Sequence, residues 1–355
     1  MIRSKLIKWL KWGMVCCMLV PFLAWQAKDT SFQPTDTKGF IAEMQKQFAE
    51  VQTIKKKENH REELERKVRD THRMLMHDYP VYYDWWLQDG NDAKDIKDGK
   101  DVNWFRGSFS RQLSLRMQKL NITTAVNDTP ESIEAAFQSY LKACERRRAE
   151  RLETFTANQP EIVFTKFRTL RPSFFAYTEG VSDARAECNY FAGGSLSKIK
   201  MNGIWAEEET LLTDEDGVYR DPNLHFDGQH LLFSWKKSAK DDDFHLYEMD
   251  LKTRAVKQLT FGKGHADIEG IYLPDENILF NSTRSGSAVD CWFTEVSNMY
   301  LCDREGRYMR QVGFDQVHTT TPTLLDDGRV VYTRWDYNDR GQVWAQPLFQ
   351  MNPDG

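Results

Sequence analysis

Two periodicities divide the chain. Between Thr37 and His77, apolar residues fall at Phe40, Met44, Phe48 and Val51, and again at Leu64, Val68 and Leu75. Spacing of three to four puts such residues on one face of a helix. The charged stretch from Lys55 to Glu62 interrupts the pattern, so it predicts one amphipathic helix or two. Phe105, Phe109, Leu113, Met117 and Leu120 predict another. A third opens with Thr129 as N-cap and Pro130 in the first turn, and carries Ile133, Phe137, Tyr140, Leu141 and Cys144 on one face. The segment Tyr79-Pro80-Val81-Tyr82-Tyr83-Asp84-Trp85-Trp86 is aromatic without a period. It is expected to dock these helices on the region that follows, or else to offer a stacking platform for a ligand. Gln88 to Asp101 reads as a loop.

From Glu161 onward the chain turns β-branched and aromatic, and it repeats itself. Apolar triplets ending in an aromatic, Leu231-Leu232-Phe233, Ile278-Leu279-Phe280 and Val330-Val331-Tyr332, recur about every 50 residues, and Ile162-Val163-Phe164 begins the series. Turns precede the last three, at Asp227-Gly228, Asp275-Glu276 and Asp327-Gly328, with short strands before two of them at Pro222-Asn223-Leu224 and Pro322-Thr323-Leu324. Third strands are expected at 245–250 and 298–303, and fourth strands at 256–260 and 309–313. Four short antiparallel strands per repeat make a propeller blade. The fold class expected is therefore mainly β: an incomplete β-propeller preceded by an α-helical region.

The Pro, short strand, Asp-Gly and apolar strand of each repeat resemble the WD40-like repeats of TolB-type proteins. Longer strings resemble a group of exported proteins related to the middle propeller domain of the hydrazine synthase alpha subunit. They are Phe175-Ala176-Tyr177-Thr178-Glu179-Gly180, His245 to Leu251, Val289 to Asn298, and Tyr332 to Gly341. The alpha subunit of that enzyme carries c-type haems, so the resemblance implies a haem-dependent oxidoreductase as one functional expectation. No Cys-x-x-Cys-His occurs in this chain, so no haem ligand carries over. Haem would come only with a cytochrome-like module beyond Gly355. The other expectation is an exported binding or scaffold module without chemistry of its own.

A six- or seven-bladed ring of about 45 to 50 residues per blade needs roughly 270 to 350 residues. About 195 follow Pro160, enough for about four visible blades. The ring is therefore expected to be completed by a missing C-terminal half or by a protein partner, since an open sheet edge invites pairing. The division expected is 1–27 as leader, 28–160 as helical region and 161–355 as partial propeller. In the leader, Arg3, Lys5, Lys8 and Lys11 precede an apolar stretch from Trp12 to Trp25, the pattern of an export signal or an uncleaved N-terminal anchor. The location expected is periplasmic or secreted, with membrane contact only through such an anchor.

A formal net charge of −5 excludes a long-range pull toward nucleic acid or anionic lipid. Cys16 and Cys17 lie in the leader without a lipoprotein context, leaving Cys144, Cys188, Cys291 and Cys302. Only Cys291 and Cys302 are close in sequence, and they are read either as a bridge or as two separate buried thiols. Catalytic motifs such as Gly-x-Ser-x-Gly, the P-loop and the dinucleotide glycine pattern do not occur.

Two arrangements remain as candidate chemistry. His265, Asp267 and Glu269 stand at spacing two, so on a strand all three face one way, where they suit a metal or small polar ligand in the propeller channel. The alternative is that they hydrogen-bond neighbouring blades around a wet tunnel, with Arg220, Asp221 and His318 at comparable positions. Lys166, Lys236, Arg284 and Arg334 follow the apolar triplets and are expected either to form an anion-binding belt or to pair with nearby acids.

Overall fold

The computed structural model describes residues 36–90, 105–158, 161–169, 190–289, 295–335 and 346–355. The expected leader, residues 1–27 with Cys16 and Cys17, lies outside these residues, as do Cys188 and Cys291. Helices α1 (Thr37–Lys55) and α2 (Arg61–Asp78) are separate, as the charged break allows. Helix α4 (Phe109–Lys119) is capped by Ser108, whose Oγ accepts from the Arg111 N–H at 3.3 Å. Helix α5 (Pro130–Asn158) starts at Thr129, whose Oγ1 accepts from Ser132 N–H at 3.3 Å. No helix among the described residues is long and apolar enough to cross a membrane.

The aromatic segment is not irregular but helical. Pro80 opens α3 (Pro80–Asp89) in its first turn, where its missing N–H costs nothing. Its buried residues Tyr82, Tyr83, Trp85, Trp86 and Asp89 follow the helical spacing, with Asp84 and Gln88 exposed on the other side, so the segment carries a period that its run of aromatics conceals. Arg116 lies over the Trp86 ring at 3.8 Å and donates to Trp86 O at 3.0 Å. Asp89 receives Tyr140 Oη at 2.8 Å and the Arg147 guanidinium, closing the end of α3 onto α5. The bundle meets the β region at the hairpin turn of residues 202–205: the Trp85 ring sits 5.9 Å from Trp205, and Arg148 Nε donates to Ile204 O at 2.7 Å.

Fourteen described strands form four antiparallel sheets in sequential order. The first contains β1 (Glu161–Thr169), β2 (Tyr190–Asn202) and β3 (Trp205–Asp214). The second runs β4 (Val218–Leu224), β5 (His230–Lys236), β6 (His245–Asp250) and β7 (Val256–Gln258). The third runs β8 (Asp267–Tyr272), β9 (Ile278–Ser282), β10 (Asn298–Cys302) and β11 (Arg310–Gln311). The fourth holds β12 (Thr319–Leu324), β13 (Val330–Arg334) and β14 (Leu348–Met351). First strands of successive sheets touch in the order β1, β4, β8, β12. That is a propeller-like arrangement, and no closed ring forms among the described residues. Ile162, Val163 and Phe164 belong to β1, the first strand of its sheet, whereas the three later triplets are second strands.

The triplets are apolar throughout because both faces of each second strand are covered. In β5, Leu231 and Phe233 pack with Leu196 and Leu211 of the first sheet, while Leu232 packs with Tyr272, Ile278 and Phe280 of the third. Ile271, Leu279 and Met299 repeat this contact against Val330 and Tyr332 of the fourth sheet. Burial of each such side chain stabilises by about 1.5–3 kcal/mol.

A second repeat lies in the backbone of the first strands. Each of β4, β8 and β12 breaks register at one bulge, and the bulged residues Asp221, Glu269 and Thr321 have φ of 54°, 56° and 51°. Asp221 Oδ2 accepts the backbone N–H of Glu269 at 3.1 Å, and Glu269 Oε2 accepts that of Thr321 at 2.7 Å. Each carboxylate thus satisfies the amide that the next sheet's bulge has freed from its ladder.

The turn after β10 presses on the second sheet. Gly306 has φ of 78°, and a Cβ there would lie 2.0 Å from the backbone oxygen of Leu259. Gly306→Ala is therefore expected to cost more than about 2 kcal/mol, because neither the left-handed backbone nor the backbone oxygen can yield cheaply. Chemical denaturation of wild type and variant measures it; equal midpoints would refute the contact.

Candidate functional site

The three residues at spacing two do not share a face. His265 precedes β8, and the bulge at Glu269 breaks the strand alternation that would have aligned Asp267 with Glu269. They fall into two networks.

Asp267 is fully buried and centred on Arg284, whose Nε and Nη2 donate at 2.9 and 2.6 Å. Ser282 Oγ donates to it at 2.7 Å, and His245 Nδ1 lies 3.5 Å away. Burial opposes ionisation of Asp267, but the His245, Arg284 and Ser282 contacts outweigh it and hold the carboxyl below its usual range. His245 Nε2 faces Gly262 O at 3.0 Å, which turns its Nδ1 toward Asp267, and His265 Nε2 faces Phe261 O at 3.3 Å. His245, His265 and Asp267 have ligand atoms within 4.8 Å of one another. A cation there would compete with the Arg284 guanidinium for Asp267.

Glu269 belongs to the bulge ladder. Arg220 Nε donates to Asp221 Oδ2 at 2.7 Å, and its Nη2 reaches Glu269 Oε1 at 3.4 Å; Asn281 Nδ2 donates to Glu269 Oε2 at 2.8 Å. Burial, then the Asp221 charge, push the Glu269 carboxyl above its ordinary value despite Arg220. Burial would lower Arg220, but Asp221, Tyr190 and Glu269 raise it, so its charge is permanent. This is an inter-sheet clamp with two carboxylates sharing one cation.

Lys166, Lys236, Arg284 and Arg334 do not occupy one level. Lys236 pairs with Val218, three residues before its sheet's bulge, while Arg334 pairs with Thr319, two before; Arg284 lies beyond the end of β9. Lys166 pairs with Glu208 and Arg334 with Asp315 at 3.1 Å, while Lys236 is buried. His318, just before β12, accepts from Ser297 N–H at 3.2 Å through Nδ1 and stacks on Trp335. Burial pushes it down to about 4. Cys302 is buried in β10, and the reading of a bridge to Cys291 falls outside the described residues.

Two features escaped the sequence reading. His225, Asp227 and His230 form a second group with ligand atoms within 4.8 Å of one another; the string His-x-Asp-x-x-His across an Asp-Gly turn is the signal that could have marked it. The other is a pair of exposed phenylalanines. Phe261 and Phe314 each follow the last strand of a four-stranded sheet and lead toward the next sheet's first strand. They are 63 % and 78 % exposed at matching positions.

No family model matches the chain. No curated protein matches it either. Among solved structures, a TolB protein of Agrobacterium tumefaciens aligns at 18 % identity and TM-score 0.34, over 46 % of this chain and 58 % of that one. TolB of Acinetobacter baumannii aligns at 19 % identity and TM-score 0.32, over 45 % and 38 %. Kuenenia stuttgartiensis hydrazine synthase aligns at 16 % identity and TM-score 0.43, over 55 % and 30 %. This chain spans less than two thirds of the length of each. Likeness at this level carries no argument; the propeller-like arrangement rests on strand order and contacts between sheets.

Proposed function

We propose that this chain is the propeller-like binding module of an exported protein, and that it holds a protein partner at the end of its sheets carrying Phe261 and Phe314. The observation that carries the reading is the exposure of these two rings at equivalent places in successive repeats. Isolated exposed apolar residues are ordinary, but a repeated aromatic at a sheet end has the character of an interface anchor. Arg284 Nη2 donates to Phe261 O at 3.1 Å and so fixes the backbone that presents the first ring. The second follows Val312, whose N–H and that of Gly313 both reach Met299 O. Export is supported by the basic and apolar leader of the sequence.

Photo-crosslinking in the native host tests both parts. A benzoylphenylalanine at 261 or 314 is expected to give one discrete adduct, in the periplasmic fraction. The same probe at Tyr308, which is 83 % exposed in a turn between third and fourth strands, is expected to give none. Equal adducts at all three positions, or none at 261 and 314, would overturn the binding face. A cytoplasmic adduct would overturn export alone.

A further inference from the structure

The turn between β4 and β5 brings His225, Asp227 and His230 around one point. Asp227 spends its two oxygens differently. Its Oδ1 accepts the backbone N–H groups of Gln229 and His230 at 2.7 and 3.1 Å, which builds the turn. Its Oδ2 faces the two imidazoles, 3.0 Å from His225 Nδ1 and 2.7 Å from His230 Nδ1.

His225 is oriented from the neighbouring sheet. Its Nε2 lies 3.2 Å from Glu276 Oε2, on the turn between β8 and β9. A carboxylate only accepts, so Nε2 donates to Glu276, and Nδ1 is the ring nitrogen turned toward Asp227. Asp227 N–H approaches that nitrogen at 3.2 Å, as expected when it bears a lone pair. Asp227 Oδ2 stands 3.0 Å from the same nitrogen, so a cation entering between them would take the Nδ1 lone pair in place of that N–H contact. A metal-bound histidine that donates its other N–H to a carboxylate is the usual outer-shell device for such sites.

Local charge agrees. Glu276 and Glu248 both pair with Arg304, at 3.0 and 3.1 Å, and Arg304 stands 4.0 Å from Asp227. Three carboxylates against one guanidinium leave a deficit of two positive charges. By contrast, the group around Asp267 already holds its cation, Arg284.

We propose that His225 Nδ1, His230 Nδ1 and Asp227 Oδ2 bind a divalent transition metal of the zinc class, with Glu276 orienting His225. Two imidazole nitrogens and a carboxylate suit zinc, nickel or cobalt better than calcium or magnesium. Ligand atoms around tetrahedral zinc lie about 3.3 Å apart, so the contacts of 3.0 and 2.7 Å need spread only by a few tenths of an ångström. The Nδ1 proton of His230 moves to Nε2 through solvent as the metal enters, so binding need release none. His225 is buried, whereas His230 and Asp227 are about a third exposed, which leaves the fourth position open to water or a ligand. Since Glu276 and Arg304 come from the third sheet, the ion also braces it against the second.

The test uses the full chain without a histidine tag, dialysed against Zn2+ alone. One equivalent is expected for wild type and for His265→Gln, with loss of binding in His230→Gln. The Tm of wild type is expected to rise by several degrees with Zn2+, and that of His230→Gln to stay still. No bound zinc in wild type, or loss in His265→Gln with retention in His230→Gln, overturns the assignment. Should His230→Gln fail to fold, Co2+ added to wild type decides: intense tetrahedral bands support the site, and weak octahedral bands overturn it.

Discussion

Arg220→Met is expected to lower the unfolding free energy by about 3–5 kcal/mol, the cost of stripping one partner from a buried ion cluster. Asp221 and Glu269 would then face each other without a cation, and both hold backbone amides of the next sheet in place. The loss has a distinctive pH dependence. Glu269 already has a folded pKa above its unfolded one, so the folded state takes up a proton more readily. Its contribution is most favourable below the ordinary glutamate range and falls as pH rises past it. Without Arg220 the carboxyl is raised further, so the deficit should shrink toward pH 5 and widen toward pH 8. Adding Glu269→Gln should recover part of the loss at pH 8, because one uncompensated charge is gone. Urea unfolding of wild type, both single variants and the double variant at the two pH values measures this. Additive, pH-independent losses would show that the cluster does not act as one unit.

The second large effect lies at His318. Its unfolded value is near 6.5 and burial pushes the folded one down to about 4. The stability it contributes is complete above pH 6.5 and disappears as pH falls toward 4, because in that window the unfolded chain binds a proton that the folded chain refuses. A shift of this size is worth about 3 kcal/mol. Protonation at Nδ1 would also cancel the hydrogen bond from Ser297 N–H and place a charge against the stacked Trp335 ring. His318→Gln is expected to flatten the acid side of the Tm profile between pH 7 and 4.5, beyond any constant offset. Parallel profiles for wild type and variant would rule the role out.

Much of the β region was legible because its signals are local. An Asp-Gly turn followed by a triplet such as Leu231-Leu232-Phe233 specifies a hairpin strand covered on both faces, and β5, β9 and β13 lie where those words stand. The capped start of α5 was legible for the same reason: Thr129 and Pro130 act within one turn. Helix α3 was not. Tyr82, Tyr83, Trp85 and Trp86 stand at helical spacing opposite the exposed Asp84 and Gln88, but ten residues opening on a proline give that pattern too few turns to repeat.

Candidate chemistry divides along the same line. By itself the sequence determined which groups were available: His265, Asp267 and Glu269 at spacing two, basic residues after the triplets, and no catalytic or haem-attachment motif. Only the tertiary structure decided how they are used. One left-handed residue at Glu269 turned that carboxylate away from Asp267 and onto Arg220, Asn281 and Thr321, residues 49, 12 and 52 positions distant. Bulges obey the packing of neighbouring sheets rather than local propensity, so alternation along a strand could not foresee it. His225, Asp227 and His230 lie within six consecutive residues, yet their bearing on a metal depends on Glu276 and Arg304, which reach them only when the second and third sheets pack together.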